Sequence, residues 1–262
     1  MLTVALNGTD LHIADQGPQD APALIFSNSL GTDFRVWDAL IPHLPAGLRL
    51  VRYDKRGHGL SRENDGPYRI STLADDAAAL IAHLRLTRPV FVGLSIGGLI
   101  GMDLAARYPG LLAGLVVSNS AAKIGEPQMW RDRIAMIRAE GLASIAVPTM
   151  DRWFSPEFRR AGRDAAWSRM LARQPKGGYI ACCEAIAGAD LRDAAAGLAL
   201  PVQCIAGAHD GATPPELVRA TADLIPGARF ALIPDAAHIP CVETPAAHAA
   251  IITDFLKETG HV

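Results

Sequence analysis

The chain is poor in the features that would tie it to a special environment. Its 262 residues include four cysteines (Cys182, Cys183, Cys204 and Cys241) without metal-site spacing, and adjacency makes a Cys182–Cys183 disulfide geometrically unfavourable. Reduced, structural thiols are expected. There is no excess of one charge: the formal net charge of -2 leaves no electrostatic footprint for nucleic acid or an acidic membrane surface. No uninterrupted apolar run is long enough to span a bilayer. Residues 1–10 lack the basic and apolar regions of a secretory signal, so a cytoplasmic protein is expected. Cofactor signatures are missing too: there is no H-E-x-x-H, no Walker A loop and no G-x-G-x-x-G after a strand. Neither a cofactor nor a metal is expected. What remains is an ordinary globular composition, 50% hydrophobic and 20% charged, with material for a sizeable core.

The informative stretch is Val90–Gly98, V-F-V-G-L-S-I-G-G. A short apolar run stops at Gly93, and Leu99, Ile100, Leu104 and Ala105 follow with helical spacing. G-x-S-x-G between a buried strand and a helix puts Ser95 on a strained turn, its hydroxyl lifted from the sheet and the helix N-terminus aimed at any anion formed there. Around it, apolar runs at Ala23–Phe26, Leu48–Tyr53, Leu111–Ser118, Val202–Ala206 and Arg229–Ile233 alternate with helical patterns at Ser71–Leu86, Pro215–Leu224 and Pro245–Leu256. Leu11–Ala14 reads as a short edge strand and Ser71 as a helix N-cap. The alternation implies an α/β fold with a mostly parallel, doubly wound sheet. Residues 123–191 break it: they hold no strongly apolar strand, are rich in Arg, Ala and Trp, and are punctuated by proline. We expect a core domain of residues 1–122 and 192–262, interrupted by a helical cap at 123–191.

A serine nucleophile requires a base and a group that orients the base. Asp210 follows the strand Val202–Ala206 and His238 follows Arg229–Ile233, so both emerge at the carboxyl edge of the sheet with Ser95. His12, His43, His83, His248 and His261 are expected at the surface or in packing, and His209 is poorly placed beside Asp210. His58, in Arg56-Gly57-His58-Gly59, is the competitor for the base and is read as structural because it follows an earlier strand. The strand before the cap ends in Ser118-Asn119-Ser120, which offers no carboxylate and strengthens Asp210. For the oxyanion of acyl attack, the expected donors are the backbone N–H of Ile96 and that of Leu30, in the loop Asn28–Gly31. Asp75-Asp76 reads as an exposed helix face.

Nearly the whole chain resembles the α/β-hydrolase superfamily and, within it, the 3-oxoadipate enol-lactonases. The general likeness lies in Arg52–Ser61, Gly93–Gly98 and Gly207–Asp210. The narrower one lies in Asn28–Thr32, Ser118–Gly125, Arg152-Trp153-Phe154, Gly178–Ile186 and Gly207–Pro215. Two positions depart from the pattern: Ile239-Pro240-Cys241 replaces a small polar pair, and Lys55 stands where threonine or another small residue is common. The resemblance implies hydrolysis of 3-oxoadipate enol-lactone to 3-oxoadipate through an acyl-enzyme on Ser95, in bacterial breakdown of protocatechuate and catechol. A substrate with an acetate side chain implies a cation in an apolar pocket. Arg133 is the candidate, three residues after Trp130 and so on the same helix face, with Trp130 and Trp153 as the apolar wall and Arg152 as the second choice. An esterase, acyltransferase or perhydrolase for another small carboxylic ester is the alternative within the same chemistry, and a non-catalytic ligand-binding protein the alternative outside it. The expected partner is a small-molecule lactone; the sequence does not specify oligomeric state.

Overall fold

A computed structural model describes residues 2–262. Eight strands form one sheet: β1 (Leu2–Leu6), β2 (Thr9–Gln16), β3 (Ala23–Ser27), β4 (Arg49–Tyr53), β5 (Val90–Leu94), β6 (Gly114–Ser118), β7 (Val202–Gly207) and β8 (Arg229–Ile233). Their spatial order is β1-β2-β4-β3-β5-β6-β7-β8. β1 and β2 are antiparallel to their neighbours, and every pairing from β4 to β8 is parallel. β3 to β7 are buried along their whole length, which is why they read as continuous apolar runs rather than alternating ones.

The helices are α1 (Ile70–His83), α2 (Ile96–Arg107), α3 (Pro127–Glu140), α4 (Ala143–Trp153), α5 (Pro156–Arg160), α6 (Ala165–Ala172), α7 (Lys176–Ala187), α8 (Arg192–Ala196), α9 (Pro215–Leu224), α10 (Pro240–Glu243) and α11 (Pro245–Glu258). Register assigns them to faces. Phe91 and Leu115 are paired across β5 and β6, and both lie against Gly101 of α2. One residue along β6, Gly114 faces the other way and meets Phe255 of α11. Phe26 and Val92 share that second face, where Phe26 packs on Trp37. Between β6 and β7 the chain leaves the sheet and builds α3 to α8, which include the cap. No helix among the described residues is long and apolar enough to cross a membrane.

Several local expectations change. β1 is an additional strand, and it takes the edge position, so β2 is an eight-residue interior strand rather than a short edge. Helix α1 starts at Ile70 with Arg69 at the cap and no side-chain capping bond, which leaves Ser71 inside the first turn. Asp76 is not exposed: it is buried and paired with Arg56, and Asn7 also donates to it at 2.7 Å. Burial pushes its carboxyl up, against the pull of the Arg56 hydrogen bonds and charge. Asp75, half-buried, accepts from Arg107 and Tyr108. The four partners come from distant loops and helices, which no helical periodicity encodes.

The cap is fastened to the core where α7 meets the loop after β4. Gly178 lies against Gly57 so closely that a Cβ on either would collide with the other's backbone. His58 of the same loop stacks on Tyr179, ring centroids 6.1 Å apart. Gly178→Ala should therefore cost at least about 2 kcal/mol in urea unfolding. Gly188→Ala, at a position with ordinary φ and nothing nearer than 3.6 Å to a new Cβ, should stay within about 0.5 kcal/mol of the parent.

Candidate active site

β5 ends in the turn that presents Ser95, whose backbone sits at φ 58° and ψ -118°. A non-glycine residue there stores about 1–3 kcal/mol, and hydrogen bonds to β6, to Ser120 and to the first turn of α2 hold it. Ser95 N–H donates to Ser118 O at 2.9 Å, while Ser95 O accepts from Ser120 Oγ at 2.6 Å and from Gly98 N–H at 2.8 Å. The glycines have steric reasons: a Cβ at Gly93 would strike the Gly97 carbonyl, and one at Gly97 would strike the Ser27 carbonyl. Ser95 Oγ makes no hydrogen bond within the described residues, and Ser95 and His238 line the same cavity. Resting enzymes often keep the nucleophile–base bond unformed.

Asp210, at the end of β7, is buried and accepts five bonds. Ala212 N–H and Thr213 N–H reach Oδ1 at 2.7 and 2.9 Å. Asn119 Nδ2, Thr213 Oγ1 and His238 Nδ1 reach Oδ2 at 2.9, 2.8 and 2.9 Å. Burial alone would raise the pKa of this carboxyl; the charge and hydrogen bond of His238, with Asn119 and the Thr213 amide, outweigh it and hold the group low. The Nδ1 contact leaves Nε2 of His238 as the ring nitrogen available to the cavity. The backbone N–H of His238 donates to Trp153 O at 3.0 Å. Glu243 accepts from Ser155 N–H at 2.9 Å and from Ala237 N–H at 2.7 Å. The last turn of α4 and the loop carrying His238 are thus one hydrogen-bonded unit.

Leu30 and Ile96 carry amides with no acceptor among the described residues. Leu30 lines the cavity, and Ile96 follows Ser95 as the first residue of α2. Below that loop His58 is fully buried, and its Nε2 accepts from Gly31 N–H at 3.0 Å. Burial, then the neighbouring Lys55, pushes its pKa well below the ordinary imidazole value. It does not line the cavity.

The cavity holds about 80 Å³ and is roofed by the cap: Trp130, Arg133, Trp153, Arg152, Thr149 and Tyr179 all line it. Trp130 Nε1 donates to Ile124 O at 2.7 Å. Arg133 donates to Tyr179 Oη at 2.7 and 3.1 Å and to Thr149 Oγ1 at 3.0 Å. Arg152 donates to Gly211 O at 3.3 Å. Burial, followed by repulsion from Arg133, lowers the Arg152 pKa. Neither arginine is ion-paired with an acid among the described residues, although the charge of the buried Asp210 also acts on Arg152. A wider cleft of about 530 Å³ between His12, Asp54 and α6 contains a His12–Asp54 pair but no serine, cysteine or threonine to act as a nucleophile.

Ser95, His238, Leu30, Trp130, Arg133 and Trp153 thus line one cavity, with Asp210 one hydrogen bond behind it and Ile96 adjoining Ser95 outside the lining. Asn119, Thr213, Glu243, Thr149 and Tyr179 were missed. In the sequence Asn119 stands out only as an absent carboxylate, yet at φ 47° it aims its amide at Asp210 Oδ2 and Ala237 O.

Residues 24–251 match the alpha/beta hydrolase family. The chain is 39% identical to 3-oxoadipate enol-lactonase 2 of Acinetobacter baylyi over 97% of its own length and 96% of that protein's. It is 34% identical to 3-oxoadipate enol-lactonase 1 of the same organism over 95% and 94%. It superposes on the crystal structure of the enol-lactonase from Burkholderia xenovorans LB400 with a TM-score of 0.94 and 38% identity, covering 98% of this chain and 100% of that one.

Asn119→Asp tests the network around Asp210. Two carboxylates at this separation cannot both ionise, so the pair would hold a proton in the folded state that the unfolded chain releases. The variant's melting-temperature deficit should therefore widen from pH 5 to pH 8. The parent's Asp210 has the opposite sign: its lowered pKa contributes stability above the ordinary Asp range, lost as pH falls below about 4. A deficit independent of pH would mean that residue 119 does not share the field of Asp210.

Proposed function

The chain belongs to the alpha/beta hydrolase family and, within it, to the 3-oxoadipate enol-lactonases, and from that premise we propose that this ester hydrolase opens 3-oxoadipate enol-lactone to 3-oxoadipate. The observation that carries the substrate is the pair of arginines without acidic partners, Arg133 and Arg152, in the cavity that Ser95 and His238 share. They would receive the substrate's carboxylate, while Trp130 and Trp153 flank the ring.

In this reading Ser95 Oγ attacks the lactone carbonyl as Nε2 of His238 removes its proton. Asp210, accepting from Nδ1, holds the tautomer and stabilises the imidazolium. The tetrahedral oxyanion takes hydrogen bonds from the N–H groups of Leu30 and Ile96, each typically contributing about 3 kcal/mol. The carbonyl–enol oxygen bond then breaks. The leaving enol oxygen takes the proton from His238, which frees the imidazole for the next step, and it stays tethered through the ring carbons. Tautomerisation gives the ketone. His238 next takes a proton from water, which adds to the acyl carbon, and collapse returns Ser95 and a second carboxylate. Such a step belongs to protocatechuate and catechol catabolism in the cytoplasm.

Loss of enol-lactone absorbance with purified protein tests the reading. Ser95→Ala and His238→Ala should each lower kcat at least about a thousandfold, similarly because the two act as a unit, and Asp210→Asn should lower it less. Faster turnover of simple aryl esters than of the lactone would move the assignment to a general esterase. Activity of Ser95→Ala within about tenfold of the parent, roughly 1.4 kcal/mol of barrier, would remove Ser95 as nucleophile.

Arg133→Met separates the carboxylate anchor from the chemistry. KM for the carboxylated lactone should rise by the equivalent of about 2–4 kcal/mol, while KM for a neutral aryl ester stays near the parent value. Equal losses on both substrates would assign Arg133 to packing through Tyr179 and Thr149 instead.

A further inference from the structure

Lys55 is 1% exposed, and its ammonium has no carboxylate within ion-pair distance among the described residues. Its one hydrogen bond is from Nζ to Ser29 O, at 2.8 Å. A buried, unpaired ammonium is costly unless something offsets it, and the proposed mechanism has given it no task. Its acceptor is informative. The Ser29 carbonyl belongs to the same peptide unit as the N–H of Leu30, and it also accepts from Thr32 Oγ1 at 3.0 Å and Thr32 N–H at 3.3 Å. In a planar trans peptide the C=O and N–H point in opposite directions. Three donors, one of them charged, therefore pull on the oxygen of a peptide whose N–H has no acceptor among the described residues.

We propose that Lys55 is a positioning residue that polarises the Ser29–Leu30 peptide, so that the Leu30 N–H binds the oxyanion of the transition state more strongly than the carbonyl of the bound ester. The inference rests on the reading of Ser95 as nucleophile and Leu30 as oxyanion donor. Hydrogen-bond chains strengthen one another in a buried site, and a fixed cation behind the donor adds its field where negative charge develops, acting on kcat rather than on binding. Lys55 does not line the cavity.

The surroundings allow the charge to titrate within an accessible range. Facing Lys55 are Cys182 of α7, Asp54 and His58 of its own loop, and Asp33 after β3. Burial pushes the Cys182 thiol up to about 12 and His58 well below its ordinary value, so both are neutral. Asp54 is occupied by His12 Nδ1 and the amides of Phe34 and Leu60, and Asp33 by Arg35. Desolvation lowers the Lys55 pKa to about 8. The ammonium is present below that pH and lost above it, so its support for catalysis should fade as pH rises through this range.

The test uses Lys55→Met, which removes charge and donor, and Lys55→Gln, which keeps a donor without the charge. kcat and KM for p-nitrophenyl acetate are measured from pH 6 to 10, with inhibition by a trifluoromethyl ketone whose serine adduct carries an oxyanion. At pH 7 both variants should lose about 10- to 100-fold in kcat, the glutamine less than the methionine, with KM within about twofold. Ketone binding should weaken in parallel with kcat. The parent's alkaline fall in kcat near pH 8 should be absent in both. Both variants should melt no lower than the parent at pH 7, because a charge that costs folding has been removed. Unchanged kcat, a loss confined to KM, or a reduced kcat that keeps the parent's alkaline limb would overturn the proposal. Fluorophosphonate labelling distinguishes the failures: a parent that labels at Ser95 while the Lys55 variants behave like it leaves the nucleophile standing and removes Lys55 alone, whereas a parent not labelled at Ser95 overturns both.

Discussion

Much of the molecule is arranged to hold one residue in a backbone conformation that it would not choose. Ser95, at φ 58°, is pinned by Ser118 O, Ser120 Oγ and Gly98 N–H. That pinning requires β6 to lie beside β5 in register and to end where it does. The turn also requires Gly93 and Gly97 to approach each other and the Ser27 carbonyl of β3 with no side chain between. Three adjacent parallel strands are therefore aligned by one tight turn, and the loops they launch (Asn28–Thr32 and Ser118–Ser120) meet the serine from opposite sides. Because β7 and β8 continue the same parallel register, Asp210 and His238 emerge at that edge as well.

The cap is more than a roof. Its α4 ends in Trp153, whose carbonyl binds the His238 amide, and Arg152 exchanges backbone and side-chain bonds with Gly211, beside Asp210. Glu243 ties Ser155 to Ala237 across the same seam. A residue proposed to touch substrate is thus one peptide bond away from an anchor of the proposed base. Binding and chemistry share a scaffold here, and a shift of α4 would be felt at the imidazole.

What could be read in advance follows from how local each signal is. Buried parallel strands announce themselves as apolar runs, so β3 to β7 and the mostly parallel sheet were legible, as was the serine turn with glycines at fixed offsets. Asp210 and His238 were picked out because sheet polarity tells which strand ends share an edge. β1, Leu2–Leu6 beside a hairpin turn at Asn7-Gly8, gives no clear sequence signal because three of its residues are exposed. Asp76 looked like surface because its partners, Arg56 and Asn7, lie 20 and 69 residues away. Glu243 gives no sequence signal, and the contacts of Asn119 and Lys55 are illegible for the same reason: each acts through a backbone or side-chain group that only tertiary folding brings to it.

The contact of Gly57 with Gly178 has a consequence for how such a cap can diversify. Where two backbones touch without side chains between them, neither segment can accept a larger residue, slide by a register or absorb an insertion without breaking the seam. Helix α7 is therefore tethered to the core, whereas α3 presents Met129, Trp130 and Arg133 to the cavity with no such backbone contact described. Variation in substrate preference should accumulate on α3, and changes meant to reshape the pocket belong there. The glycine pair works as a hinge-pin for redesign: it leaves one wall of the pocket standing while the others are rebuilt.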